Sequence, residues 1–235
     1  MPKFDPDRIQ AVLFDVDGTL YDQRPLRLYM MRALLGLPLR RGIGGTRRAL
    51  RAISAFRHTL EALREAPPGS NLASLRFSRA AERAGLPEAE LREIVGEWIY
   101  QRPLPWMRGR ARPGAAELMG DLRRLGRRVG VLSDYPTGAK LEALGLGQHV
   151  ALRLCCEDPD IDALKPHPQG FLRACQIWQL PPAEVLYVGD RVSVDAAGAA
   201  AAGMPCAIVD RSVKDGPDHV GVPDFSALQR LLLGD

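Results

Sequence analysis

With 235 residues, 46% hydrophobic and 26% charged, the chain has the composition of an ordinary globular protein able to bury a substantial core. Aromatic residues make up only 6%, which offers no platform for stacking nucleic-acid bases, and no stretch approaches the roughly 20 apolar residues of a membrane span. The four cysteines show no C-x-x-C spacing and the N-terminus has no apolar signal region, so the expectation is a cytoplasmic protein with buried free thiols.

The net charge of +4 is unevenly spread. Gln23 to Arg108 holds sixteen arginines and seven glutamates, with no lysine or aspartate, a net of +9 that leaves −5 for the remainder. A basic segment set into an acidic chain predicts two parts with different jobs: residues 1–22 with 109–235 as one domain and 23–108 as another.

Ile9 to Phe14 is a short apolar run ending in Asp15-Val16-Asp17-Gly18-Thr19, which predicts a buried strand followed by a turn. From about Pro25 to Tyr100 apolar residues recur at helical spacing, as in Leu91, Ile94, Val95 and Trp98. Breaks at Gly42 to Gly45, Pro67 to Asn71 and Gly85 to Pro87 divide this region into roughly four helices. Beyond Arg112-Pro113-Gly114 helices and strands alternate. Helices are expected over 115–125, 137–144, 169–178 and 194–202, with strands over 129–133, 151–154, 185–188 and 205–210. That alternation predicts an α/β fold: a Rossmann-like parallel sheet with helices on both faces and an inserted helical cap. Ligands of such sheets bind at the carboxyl ends of the strands, where Asp15, Ser133 and Asp190 fall.

Each of these positions has a chemical reading. A carboxylate at Asp15 can attack phosphorus, and a second carboxyl at Asp17 can protonate a leaving oxygen and then deprotonate water. Gly18 permits a tight turn and Thr19 offers a hydroxyl. Asp190 and Asp195, in Gly189-Asp190-Arg191-Val192-Ser193-Val194-Asp195, add two more acids with only Arg191 beside them. Crowded carboxylates need a positive partner, and Mg²⁺ with its preference for oxygen ligands suits phosphate chemistry. Asp195 taken alone also reads as a helix N-cap. Ser133 and Asp134 stand at a strand-to-helix turn where a hydroxyl and backbone N–H groups can cradle phosphate oxygens, while Ser-Asp taken alone also reads as simple helix capping. Lys165, one of four lysines, lies in a loop fixed by Pro166 and Pro168.

Together these segments resemble the haloacid dehalogenase superfamily of phosphohydrolases. Asp15 to Thr19 matches its first motif, Ser133 its second, Lys165 its third, and Gly189-Asp190 with Asp195 its fourth, in the family's order. The resemblance implies a phosphoglycolate phosphatase-like enzyme with Asp15 as nucleophile and Asp17 as general acid/base. Thr19, Ser133, Asp134 and Lys165 would contact phosphate. Mg²⁺ would be held by Asp15, the Asp17 carbonyl and Asp190, with Asp195 ligating or orienting metal waters. The segment 23–108 is similar to the family's helical cap. Asp134 departs from the Asn common in close relatives, an extra negative charge near the anion site. The family's dehalogenases lack the second carboxyl, so Asp17 argues for phosphate esters.

The expected partner is a small anionic phosphorylated metabolite, with no nucleic acid and no membrane; the sequence does not read out an oligomeric state. A phosphomutase of the same superfamily is the nearest rival, and a non-catalytic binding protein is the rival from another class. Most cap arginines, including Arg40-Arg41 and Arg47-Arg48, are expected on solvated helix faces, with one or two touching substrate. Trp98, Trp106 and Phe56 are expected in packing, and His58 and His149 carry no assignment.

Overall fold

The computed structural model describes residues 4–234, without the side chains of Leu37, Leu39, Arg40 and Arg41. Five strands form where the apolar runs predict them: β1 (Ala11–Phe14), β2 (Arg128–Ser133), β3 (Leu152–Cys155), β4 (Val185–Gly189) and β5 (Cys206–Val209). A sixth, β6 (Val220–Val222), is too short to stand out in the sequence. All pair in parallel in the order β3-β2-β1-β4-β5-β6.

The strands are apolar on both faces because both are covered. Val12 and Phe14 of β1 point into one core, which Leu118 and Leu122 of α6 (Ala115–Arg124) and Phe225 and Leu228 of α10 (Phe225–Leu233) complete. Ala11 and Leu13 point into the other, with Phe171 and Trp178 of α8 (Gln169–Trp178) and Ala199 of α9 (Ala197–Ala201). The remaining helix on this side of the chain is α7 (Gly138–Leu144).

Between β1 and β2 come α1 (Gln23–Leu35), α2 (Leu37–Ala62), α3 (Leu72–Ala84), α4 (Glu88–Val95) and α5 (Pro103–Met107). They enclose a third core of Ala49, Phe56, Ala80, Leu91, Val95 and Trp98. The expected breaks near Pro67 and Gly85 are present. The expected break at Gly42–Gly45 is present too: Gly42 leaves helical geometry (φ 68°, ψ 173°), so Leu37–Ala62 is two helical pieces meeting at a kink, and a further division, which the sequence did not suggest, falls at Gly36. The expected helix over 194–202 opens instead as a wide turn over Val192–Ala196 before α9.

Within the sheet, close packing leaves no room at Gly130 of β2. A Cβ there would lie 2.7 Å from the Trp178 ring and 3.1 Å from Leu152 Cβ. Gly130→Ala is therefore expected to destabilise the protein by about 1–3 kcal/mol, read as a drop of several degrees in thermal denaturation; an unchanged melting curve would contradict this packing.

Candidate active site

The sheet order reverses between β1 and β4, the kind of switch point where α/β folds bind ligands. Asp15 follows β1, its amide donating to the Val188 carbonyl at 2.8 Å. Ser133 ends β2, Asp190 follows β4, and Lys165 enters from the β3–α8 loop. Four segments far apart in sequence thus meet on one rim.

Lys165 is at the centre and only 3% exposed. Its ammonium donates to Asp15 Oδ1 (2.7 Å), Asp195 Oδ1 (2.8 Å) and the Tyr187 hydroxyl (3.0 Å). Burial alone would lower its pKa, but the charges of Asp15 and Asp195 raise it well above the ordinary lysine value. Asp15 is pushed up, first by burial and then, against the pull of Lys165, by Asp195, Asp190 and Asp17. Thr19, expected to contact phosphate, is fully buried, and its hydroxyl donates to Asp15 Oδ2 at 3.2 Å.

Asp17 has its own cation. Lys140, in α7, reaches both Asp17 oxygens at 2.6 and 2.5 Å, and Tyr21 donates to Oδ1 at 2.5 Å. Burial would raise the Asp17 pKa, but Lys140 and the Tyr21 hydrogen bond outweigh it and hold the carboxyl below its ordinary value. Ser133 Oγ lies 3.5 Å from Asp17 Oδ2 and accepts the Tyr135 amide at 3.2 Å.

Asp195, read alternatively as an N-cap, sits inside the wide turn with all its acceptor capacity directed inward. Oδ1 takes Lys165 and Tyr187, and Oδ2 takes the amides of Asp190 (3.2 Å) and Arg191 (3.0 Å). The carboxylate of Asp134 accepts Arg64 Nη1 (2.9 Å) on one oxygen and the Lys165 amide (3.3 Å) on the other. Arg191, the one cation next to Asp190 in sequence, reaches away to Glu61 at 3.4 Å.

Asp15, Asp190 and Asp195 place carboxylate oxygens within 4.8 Å of one another, which fits a hard divalent cation. Asp190 Oδ1 is buried without a hydrogen-bond partner, and burial together with Asp195 pushes its pKa up to about 6. Gly18 makes the approach of Asp190 feasible: its φ is +106°, and a Cβ there would lie 2.2 Å from Asp190 Oδ2. Each oxygen of Asp195 already takes two donors, whereas each oxygen of Asp15 takes one and Asp190 Oδ1 takes none, so Asp15 and Asp190 are the side chains best placed to ligate.

These groups line a cavity of about 680 Å³ whose other wall comes from the helices between β1 and β2, including Arg57, His58, Arg64 and Trp98. Trp98 and Phe56 are buried in the third core, as expected of packing residues. The expected cluster Arg40-Arg41 lies outside the described side chains. Sequence reading missed Lys140, Tyr21, Tyr187 and Arg64. The scarcity of lysine was a usable signal for Lys140, whereas Tyr187 is masked by the apolar strand around it.

The family model for haloacid dehalogenase-like hydrolases matches residues 9–203, and the chain belongs to that family. It is 32% identical over 196 residues to N-acetylmuramic acid 6-phosphate phosphatase of Pseudomonas putida, covering 78% of this chain and 75% of the relative. It is 28% identical over 198 residues to glyceraldehyde 3-phosphate phosphatase of Methanopyrus kandleri, covering 83% and 82%. A solved 2-haloacid dehalogenase from Pseudomonas syringae pv. Tomato shares the fold with a TM-score of 0.64 at 25% identity, over 95% of this chain and 98% of that one. The chain is accordingly an enzyme of the hydrolase class. No helix among the described residues is long and apolar enough to cross a membrane.

The raised pKa of Asp190 fixes a sign. In chelator, the native protein binds more protons than the unfolded chain between about pH 4 and 6, from the ordinary carboxyl value of 3.8 to about 6. The Asp190 contribution to stability therefore falls as pH rises through that window. Asp190→Asn is expected to flatten this part of the pH–stability curve, and at pH 7 to abolish any rise in melting temperature on adding Mg²⁺. A variant that keeps the wild-type Mg²⁺ response would remove Asp190 from the cation site.

Proposed function

We propose that the protein is a Mg²⁺-dependent phosphatase of small phosphorylated metabolites, working through an aspartyl-phosphate on Asp15. The observation that carries the reading is the pair of carboxylates on one turn, Asp15 held by Lys165 and Asp17 held by Lys140. A hydrolase that displaced only halide would have no use for a second carboxyl; an ester leaving as alkoxide needs a proton. The names of the relatives in Pseudomonas putida and Methanopyrus kandleri support the same substrate class.

In this reading Asp15 and Asp190, with the Asp17 carbonyl, hold the cation. Mg²⁺ bound there supplies positive charge that offsets the repulsion between carboxylate and phosphoryl oxygens. Thr19 orients Asp15. An Asp15 oxygen attacks phosphorus, the ester P–O bond breaks, and the leaving oxygen takes a proton from Asp17. Asp17 then removes a proton from water, which attacks the phosphorus of the aspartyl-phosphate and frees phosphate and Asp15. Asp17 is held ionised by Lys140, which suits the second half; an incoming phosphate anion beside Lys140 and Asp17 favours proton uptake for the first. Residues 23–108 serve as the cap over a core of 1–22 and 109–235, and the cap's basic surface draws in an anionic substrate.

Hydrolysis of an aryl phosphate with Mg²⁺ is the direct test. Chelator and Asp15→Asn are each expected to abolish turnover. Asp17→Asn is expected to lower kcat by roughly 10²–10⁴-fold with an alkyl phosphate, and by less with an aryl phosphate whose leaving group needs little protonation. Turnover by Asp15→Asn, or turnover indifferent to chelator, would reject the mechanism.

A further inference from the structure

Arg64 lies just beyond α2, in a short helical turn over Leu63–Glu65, and its side chain is only 10% exposed. Its guanidinium crosses from the helical segment to the strand rim and makes contacts there that no local pattern demands. Nη1 donates to Asp134 Oδ2 (2.9 Å) and to the Lys165 carbonyl (2.6 Å). Nε and Nη2 donate to Glu61 at 2.7 and 3.1 Å, which fixes the plane of the group. Asp134 completes the circuit by accepting the Lys165 amide at 3.3 Å. The peptide groups on both sides of Lys165 are therefore clamped, the amide by Asp134 and the carbonyl by Arg64. The ammonium of that same residue reaches Asp15 and Asp195.

We infer that Arg64 is a positioning residue for phosphate binding: it neutralises Asp134 and pins Lys165, so that the phosphate site is complete only when the helical segment is seated. The inference rests on the phosphatase reading for its ligand. It accounts for the acid at position 134, next to the phosphate-binding serine. Without Arg64 that carboxylate would be a largely buried anion beside the incoming phosphate, and the repulsion would oppose binding. With Arg64 it is one half of an ion pair and an anchor for the lysine loop. Glu61 extends the arrangement toward the other side of the site, since it also meets Arg191 Nη1 at 3.4 Å, next to Asp190.

The test is a charge-rescue series read by calorimetric binding of inorganic phosphate in the presence of Mg²⁺, with aryl phosphate turnover measured in parallel. Arg64→Ala is expected to weaken phosphate binding by roughly 30-fold or more and to raise KM, as truncating one partner of a buried charge pair does. Adding Asp134→Asn in the Arg64→Ala background is expected to recover part of the loss, because it removes the carboxylate that Arg64 otherwise neutralises. A merely structural arginine would show no such rescue. Arg83→Ala, at an exposed position on α3, is the control. Should Arg64→Ala unfold at the assay temperature, Arg64→Lys carries the test: it keeps the charge, cannot hold Asp134, Glu61 and the Lys165 carbonyl together, and is expected to bind phosphate several-fold more weakly. Wild-type binding by Arg64→Ala, or failure of Asp134→Asn to rescue, overturns the inference. If the wild type does not turn over, the phosphatase reading falls, and the clamp is decided by the phosphate titration alone.

Discussion

The arrangement depends on one buried ammonium among carboxylates. Lys165 touches Asp15 and Asp195 at hydrogen-bond distance, and Asp190 and Asp17 stand close enough to raise the pKa of Asp15. Breaking one partner out of such a buried set typically costs about 3–5 kcal/mol, because the charge left behind has no water to turn to. The cluster nevertheless remains short of positive charge: three carboxylates converge within 4.8 Å, and one oxygen of Asp190 is unpartnered. A site that is stable enough to fold yet still electron-rich is suited to taking up a cation and, with it, an anionic substrate.

The sheet makes this possible. Parallel pairing brings the carboxyl ends of β2, β1 and β4 side by side, so three rim residues arrive on adjacent strands without any of them being near in sequence. The two apolar cores, one on each face, hold those strands in place. Chemistry is confined to the ends, where the chain turns and side chains are no longer needed for packing.

Much of this was legible in the sequence because it is written locally. Apolar runs that stop at Asp15, Ser133 and Gly189 announce strands and their ends together. What was not legible is written across distance. Lys140 and Asp17 are 123 residues apart, and Arg64 and Lys165 are 101 apart; nothing adjacent to Lys140 or Arg64 in the chain ties it to its partner. Gly42 leaves helical geometry where the glycine run reads as a break, whereas the division at Gly36 is hidden because a single residue in near-helical conformation separates α1 from α2. Asp195 reads equally as a cap or a ligand, and only the fold shows that four donors already converge on it.

The central claim is that Asp15 becomes covalently phosphorylated during turnover. Quenching the enzyme in the steady state with borohydride reduces an aspartyl-phosphate to homoserine, which mass spectrometry of the peptide containing residue 15 locates. The account predicts homoserine at position 15, only with Mg²⁺ and substrate present. Full turnover with an unmodified Asp15, or modification at a different carboxylate, would contradict it.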